Sequence, residues 1–264
     1  MLELQSISKT FHPGTIHAKK ALQNLSLSLN DGDFVTVIGG NGAGKSTLLN
    51  AIAGVWPVDE GSILIDGVDV TGLPEYKRAA FIGRVFQDPM LGTAPNMQIE
   101  ENLALALRRG KKRTLRWGVT KQEREDYYER LHALGLGLEK RMTDKVGLLS
   151  GGQRQALTLL MASLQKPKLL LLDEHTAALD PATAAKVLEL SDKIVEENGL
   201  TALMITHNMK DAIAHGNRLI MMDAGQVVVD VSGEEKKKLT VPDLLALFSK
   251  VSGSDEADDK LLLS

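Results

Sequence analysis

The sequence predicts a mixed α/β fold whose main sheet is mostly parallel. An apolar strand, FVTVI, comes directly before a helical stretch at 45–53. Two further apolar runs, LLLL at 169–172 and ALMIT at 202–206, have the length and composition of buried strands. Between them lies a helix that begins at Pro181 and ends at Gly199. Strands that alternate with helices form parallel sheets, in which ligands bind beyond the carboxyl ends of the strands.

Three other segments predict an antiparallel β subdomain. LELQSIS and LQNLSLSLN alternate between apolar and polar residues, as half-buried strands do. SILIDGVDV carries a turn at Asp66 and Gly67 between two short strands, which indicates a hairpin.

The middle of the chain predicts a helical subdomain inserted into the α/β core, at about residues 88–160. From 99 to 134 the pattern is helical, and Thr120 and Glu123 have capping-box spacing before KQEREDYYERLHAL. The segment RRGKKRTLR is strongly basic. It is either a solvated loop or a contact with acidic lipid headgroups or a partner protein.

The main domain is expected to cover residues 1–231, followed by a C-terminal extension at 232–264. The extension contains a short helical stretch, LLALFSK, and an acidic end, SDEADD. Such a segment is typical of a peripheral helix with a frayed terminus.

Composition excludes several classes of protein. The formal net charge of −3 over 264 residues gives no general surface for polyanions, so we expect no nucleic acid partner. The chain has no cysteine, which excludes disulfides and thiolate metal sites. No apolar run approaches the roughly 20 residues that cross a bilayer, and MLELQSISKTF does not resemble a signal peptide. We therefore expect a soluble protein.

The stretch GGNGAGKSTLLN has the pattern of a phosphate-binding loop between a buried strand and a helix. Its glycines let the backbone wrap round phosphates, and the helix directs its positive dipole end to the same place. Lys45 supplies a positive charge to the β- and γ-phosphates, and Ser46 offers a hydroxyl to Mg²⁺. The expected nucleotide contacts are Gly39, Gly40, Asn41, Gly42, Ala43, Gly44, Lys45, Ser46 and Thr47.

The run LLLLDEH predicts two carboxylates at the end of a buried strand. Asp173 emerges where it can hold Mg²⁺ directly or through water. Glu174 follows it, in a position that suits a group polarising the attacking water.

LSGGQRQ lies just before an amphipathic helix. Ser150 and Gln153 have capping-box spacing, which by itself predicts only a helix start. Two glycines in a first turn weaken a helix by roughly 1 kcal/mol each, a cost that makes sense where backbone N–H groups approach an anion.

Together, the phosphate loop, LSGGQ and LLLLDE resemble the motifs of ATP-binding cassette (ABC) ATPases. The resemblance covers about residues 1–231 and extends to four further positions. Gln87 in VFQDP matches the Q-loop and Asp180 in ALDP the D-loop. His207 matches the switch histidine, and Phe11 stands where an aromatic residue packs on adenine. The chain departs from the common EPTSALD pattern at His175 and Ala177.

The resemblance implies a head-to-tail dimer, formed with a second copy or a paired cassette, with ATP bound between the phosphate loop of one subunit and LSGGQ of the other. Catalysis would involve Glu174, His207 and Gln87. The metal ligands would be Ser46, Gln87 and Asp173. The residues placed on the second face of the nucleotide are Ser150, Gly151, Gly152, Gln153 and Asp180.

ATP and Mg²⁺ are therefore the expected substrate and cofactor, and ATP-driven closure of the dimer would power a transporter. Because this chain has no fused membrane span, the expected partners are transmembrane permease subunits at the cytoplasmic face of the membrane. PMLGTAPNMQIEENLALAL and DEHTAALDP resemble segments of bacterial importers that use a substrate-binding lipoprotein, some of them for amino acids such as tryptophan. The alternatives are a split exporter, a cassette ATPase that acts on DNA or ribosomes, and an ATP-binding regulator.

Overall fold

The computed structural model describes residues 1–111 and 118–252. The strands are β1 (Leu2–Phe11), β2 (Lys19–Leu29), β3 (Phe34–Ile38), β4 (Glu60–Ile65), β5 (Val68–Asp69), β6 (Ile82–Val85), β7 (Leu169–Asp173), β8 (Thr201–Ile205), β9 (Arg218–Asp223) and β10 (Gln226–Ser232). The helices are α1 (Lys45–Ala53), α2 (Glu75–Arg78), α3 (Ile99–Leu107), α4 (Lys121–His132), α5 (Gly151–Ser163), α6 (Pro181–Asn198), α7 (Met209–Ala214), α8 (Gly233–Lys238) and α9 (Val241–Ser252).

The described strands form two sheets, as the sequence predicts. The larger has the order β10-β9-β3-β8-β7-β6 and is parallel except for β10, which pairs antiparallel with β9. The smaller has the order β2-β1-β4-β5 and is antiparallel, including the predicted β4–β5 hairpin. The mixed α/β fold is thereby confirmed.

The register of the parallel sheet brings the functional loops together. Every residue of β3 and β8 is buried, as expected for strands covered on both faces. Val37 pairs with Ile205, and Ile205 pairs with Asp173, so β3, β8 and β7 end in one row. The phosphate loop, the two carboxylates and His207 therefore leave the same edge of the sheet.

Helices α3, α4 and α5 share an apolar cluster that includes Ile99, Leu103, Tyr127 and Leu157. The predicted capping box of α4 is present, since the Glu123 N–H donates to the Thr120 hydroxyl and the Glu123 carboxylate accepts from the Thr120 N–H. The opposite face of α5 packs on the parallel sheet through residues such as Leu159. Helix α5 thus joins the helical region to the sheet.

The C-terminal helix α9 lies against the antiparallel edge of the large sheet. Leu244 and Phe248 are buried there in a cluster with Leu219 and Met221. The basic residues at 112–116 and the acidic end of the chain lie outside the described residues. None of the helices that the structure describes is long and apolar enough to cross a membrane.

Three strands have no counterpart among the sequence-based expectations. Strand β6 has four residues and contains Gly83 and Arg84, so it lacks an apolar run. The hairpin of β9 and β10 was detectable, because RLIMMD and the partly alternating QVVVDVS flank a turn at Ala224 and Gly225.

Candidate functional site: a phosphate loop at the end of the parallel sheet

The loop between β3 and α1 needs glycine at two positions for steric reasons. Gly39 has φ 150°, and a Cβ atom there would lie 2.2 Å from the Met222 carbonyl oxygen. Gly44 has φ 103°, and a Cβ atom there would lie 2.6 Å from the Ala21 carbonyl oxygen. Left-handed backbone pressed against carbonyl groups leaves no room for any other residue.

The N-terminus of α1 is built to receive an anion. No side chain caps it, and its first turn contains no acidic residue. Its N–H groups and dipole are thus available to a ligand. Lys45 is buried, and its Nζ donates to the carbonyl oxygens of Gly39 at 2.6 Å and Gly40 at 3.2 Å. Burial lowers the pKa of Lys45, while the charge of Glu174 acts to raise it.

The loop forms one wall of an open cavity of about 210 Å³. Phe11 also lines it, and its ring packs in a T-shaped arrangement with Trp56, with centroids 4.9 Å apart. Lys19 also lines the cavity, although no sequence pattern distinguished it from other surface lysines. The lining residues shared with the sequence-based expectations are Phe11, Gly40, Asn41, Gly42, Ala43, Gly44, Lys45, Ser46, Thr47, Glu174 and His207.

Glu174 and His207 are in direct contact in this cavity. The Glu174 Oε1 lies 2.6 Å from the His207 Nε2. Glu174 has φ 46°, an uncommon conformation for a residue with a side chain, and its N–H donates to the Ile205 carbonyl. A strained backbone held in this way positions the carboxylate beside the phosphate loop, where it can polarise a water molecule.

Asp173 and Gln87 line a neighbouring cavity of about 640 Å³. Asp173 is paired with Arg84, whose Nη2 lies 3.2 Å from the carboxylate and 2.9 Å from the Asn50 Oδ1. Gln87 is exposed. Sequence reasoning did not find Arg84, because a single arginine in a short strand has no distinguishing pattern.

The donor set at these cavities suits a hard cation that is shared with phosphate. Ser46, Gln87 and Asp173 supply the hydroxyl, amide and carboxylate oxygens that Mg²⁺ prefers. Among the described residues, no group of three or more His, Asp or Glu side chains could hold a metal by itself. A Mg²⁺ ion here would therefore depend on the nucleotide for further ligands.

The LSGGQ segment and Asp180 are not in the nucleotide cavity of their own chain. Ser150, Gly152 and Gln153 line a separate cavity with α6, and Asp180 caps α6 by accepting from the Thr183 N–H. The capping box is present, because the Ser150 hydroxyl accepts from the Gln153 N–H and the Gln153 carboxamide from the Ser150 N–H.

The two glycines of α5 differ in what surrounds them. A Cβ atom at Gly152 would lie 2.2 Å from the Thr183 Cγ2, so packing within the chain explains this glycine. Gly151 is exposed, and a Cβ atom there would meet only the Leu179 side chain at 3.3 Å. Gly151, and not Gly152, is therefore the glycine that leaves space for an approaching anion.

His175, one of the departures from the common pattern, is a core residue. It is buried, with its Nε2 2.9 Å from the Ser191 hydroxyl. Burial lowers its pKa to about 4, with a smaller contribution from the charge of His215. His175 is thus neutral at pH 7 and does not face the nucleotide cavity.

Comparison with known proteins agrees with this geometry. Residues 22–177, more than half of the chain, match the family described as ABC transporter. The tyrosine transport ATP-binding protein of Clostridioides difficile is 48% identical over 248 residues, covering 94% of this chain and 98% of that protein. The spermidine/putrescine import ATP-binding protein PotA of Haemophilus influenzae is 35% identical over 237 residues, which are 89% of this chain but 59% of PotA.

The solved structures that resemble this fold include ATP-binding cassettes. The cassette MJ0796, in a dimeric post-hydrolysis state bound to ADP and Pi, has a TM-score of 0.74 and 32% identity, covering 88% of this chain and 98% of that one. The ADP conformation of the cassette MJ1267 has a TM-score of 0.76 and 29% identity. Because family, sequence and fold agree, this chain belongs to the ABC transporter family, as an ATP-binding and ATP-hydrolysing subunit that powers transport.

Proposed function

We propose that this chain is the ATPase subunit of an importer for tyrosine or a similar aromatic amino acid. The observation that carries the proposal is the 48% identity, over 94% of the chain, to a tyrosine transport ATP-binding protein. PotA supports import as the direction of transport. The cavity lined by the phosphate loop suits a nucleotide and not the transported solute. Specificity for the solute would therefore reside in the partner subunits.

Hydrolysis would use the groups at the end of the parallel sheet. Lys45 and the uncapped end of α1 bind the phosphates, and Phe11 packs on the adenine. Glu174 acts as the general base that orients water toward the γ-phosphate. In this structure His207 holds the Glu174 carboxylate, so we propose that His207 changes partner and contacts the γ-phosphate when ATP binds.

Mg²⁺ would be held by Ser46, Asp173 and Gln87 together with the nucleotide. When bound, it offsets the phosphate charge in the transition state. Gln87 would also connect the metal with the helical subdomain. We propose that this subdomain covers about residues 88–160 within an ATPase domain at 1–231.

The second face of the nucleotide would come from another cassette, in a head-to-tail dimer. Within the described chain, Ser150 and Gly151 lie at an exposed helix N-terminus outside the nucleotide cavity. The similar cassette MJ0796 has been solved as a dimer. Ser150, Gly151, Gly152, Gln153 and Asp180 would thus act on the partner's ATP.

The permease would dock in a groove of about 860 Å³ between the sheet and the helical region. Tyr76, Leu91 and Leu105 line it and are exposed, so a partner would bury them. Arg109 also lines it, with a buried Nε that has no hydrogen-bond partner among the described residues. An amphipathic segment that carries a carboxylate fits this combination.

Docking on the permease would place the chain at the cytoplasmic face of the membrane, with an extracytoplasmic substrate-binding protein on the other side.

Co-purification with the permease tests whether the groove is the docking site. Leu105→Glu should abolish co-purification. Val68→Glu changes a similarly exposed apolar residue outside the groove and should leave co-purification intact. Equal recovery with both variants would exclude this groove as the docking site.

Uptake in cells tests the substrate class. Deletion of the gene should abolish the high-affinity uptake of labelled tyrosine and leave putrescine uptake unchanged. The wild-type gene should restore tyrosine uptake, whereas Glu174→Gln should not. Unchanged tyrosine uptake in the deletion strain would contradict the proposed substrate, and loss of putrescine uptake would indicate the polyamine class instead.

A further inference from the structure

Arg84 lies where its charge acts directly on the proposed metal site. Its Nη2 lies 3.2 Å from the Asp173 Oδ2 and 2.9 Å from the Asn50 Oδ1. Its guanidinium lies over the Phe86 ring at 4.6 Å. The side chains of Arg84 and Asp173 are only 13% and 17% exposed. The pair is therefore largely shielded from solvent and from salt.

Arg84 compensates the charge of a carboxylate that is largely buried. A carboxylate with so little exposure is costly when it has no positive partner. Arg84 thus stabilises Asp173 in the conformation that this structure shows.

The same pairing opposes a divalent cation. A Mg²⁺ ion near Asp173, whether bound directly or through water, would compete with Arg84 for one carboxylate and be repelled by its charge. Arg84 also lines the large groove beside the helical region. Its side chain therefore has space into which it can move away from Asp173.

We propose that Arg84 is a resident counter-ion of Asp173, which competes with Mg²⁺ and so sets the Mg²⁺ concentration at which nucleotide binds. The inference rests on the proposed role of Asp173 at the metal site. Arg84 acts here as a positioning residue, through Asp173, and is not among the residues that line the phosphate-loop cavity. Its effect would be to keep the metal loosely bound, so that the site can release it with the product.

The test is a Mg²⁺ titration of the purified full-length chain with a fluorescent ATP analogue. Arg84→Met has similar length and no charge, and it should lower the Mg²⁺ concentration for half-maximal binding by about tenfold, because Arg84 no longer competes for the Asp173 carboxylate. Arg84→Lys keeps the charge and should stay close to the wild type. We call the Mg²⁺ concentration for half-maximal binding the half-point. An unchanged or higher half-point for Arg84→Met would overturn the proposal.

An Asp173→Asn background separates this inference from the site assignment. There, adding Arg84→Met should change the half-point much less than tenfold, because the competition for the carboxylate is gone and only the direct repulsion between Arg84 and Mg²⁺ remains. A persisting tenfold shift would show that Arg84 does not act through Asp173 and would overturn the inference. If Asp173→Asn alone left the Mg²⁺ requirement unchanged, the proposed role of Asp173 would fail first.

Folding is checked by thermal unfolding without nucleotide. Arg84→Met should lower the midpoint in the wild-type background more than in the Asp173→Asn background. If Arg84→Met does not fold, Arg84→Gln serves in its place, because glutamine is also neutral and retains hydrogen bonding to Asn50. The same tenfold decrease in the half-point is expected, and its absence in the folded variant counts against the proposal.

Discussion

Helices α1 and α5 both have glycines at their N-termini, but the two N-termini are capped differently. At α1 the residue before the helix is Gly44, and no side chain caps the first turn. At α5, Ser150 and Gln153 form a reciprocal capping box. An uncapped end leaves the N–H groups of its first turn free to bind a ligand. At a capped end, side chains already accept hydrogen bonds from some of these groups.

The surroundings of the two ends extend the difference. The α1 end lies in a cavity with Lys45, Glu174 and His207 from its own chain. The α5 end is exposed at Ser150 and Gly151 and lies in a different cavity. The first end therefore faces the groups of its own chain that suit a phosphate, whereas the second would meet a nucleotide only if another molecule brought it.

The largest effect is expected for Glu174→Gln, which tests whether the α1 cavity contains the catalytic base. The amide retains the shape and hydrogen bonding of the side chain but does not polarise water. Loss of general-base assistance should reduce the hydrolysis rate roughly 10²- to 10⁴-fold, while ATP binding persists. Steady-state ATPase assay and a binding titration measure the two quantities, and a rate near that of the wild type would contradict the assignment.

Lys45→Ala tests whether the α1 end depends on its buried cation. It removes a full charge beside the β- and γ-phosphates, which should weaken Mg-ATP binding by about 100-fold. Calorimetric titration measures the affinity. The matched variant Lys19→Ala, at the rim of the same cavity, should have a smaller effect, and equal losses would contradict a special role for Lys45.

The α5 end is tested by Ser150→Arg in the Glu174→Gln background. With ATP, Glu174→Gln should form a dimer that persists because hydrolysis is slow. A bulky arginine at position 150 would occupy the partner's phosphate site and leave the protein monomeric. Size-exclusion chromatography with ATP distinguishes the two states, and a dimer that survives Ser150→Arg would exclude the composite site.

The smallest effects are expected for alanine at the two glycines of α5. Gly152→Ala should destabilise the fold by about 1–2 kcal/mol, because overpacking against Thr183 exceeds the gain in helix propensity. Gly151→Ala should be neutral or stabilise by up to about 1 kcal/mol, since only the flexible Leu179 side chain is near. Chemical denaturation measures both, and equal effects would show that packing does not distinguish these positions.

Much of the fold could be predicted because its signals are local. Helix α1 begins and ends where the sequence indicates, since Gly54 takes the left-handed conformation after it. The capping boxes of α4 and α5 depend on residues three positions apart. Strand β6 could not be found in this way, because its four residues become a strand only by pairing with β7.

The features of the candidate site also divide into those with a local sequence signal and those that depend on tertiary contacts. The sequence alone predicted the phosphate loop, the carboxylates at the end of β7 and the histidine after β8, because each motif is a short pattern tied to one strand end. Only the tertiary structure decided that Glu174 contacts His207, that Asp173 is paired with Arg84, and that Thr183 leaves no space beside Gly152. These contacts join residues far apart in the chain, and the register of the sheet and the packing of helices set the distances between them.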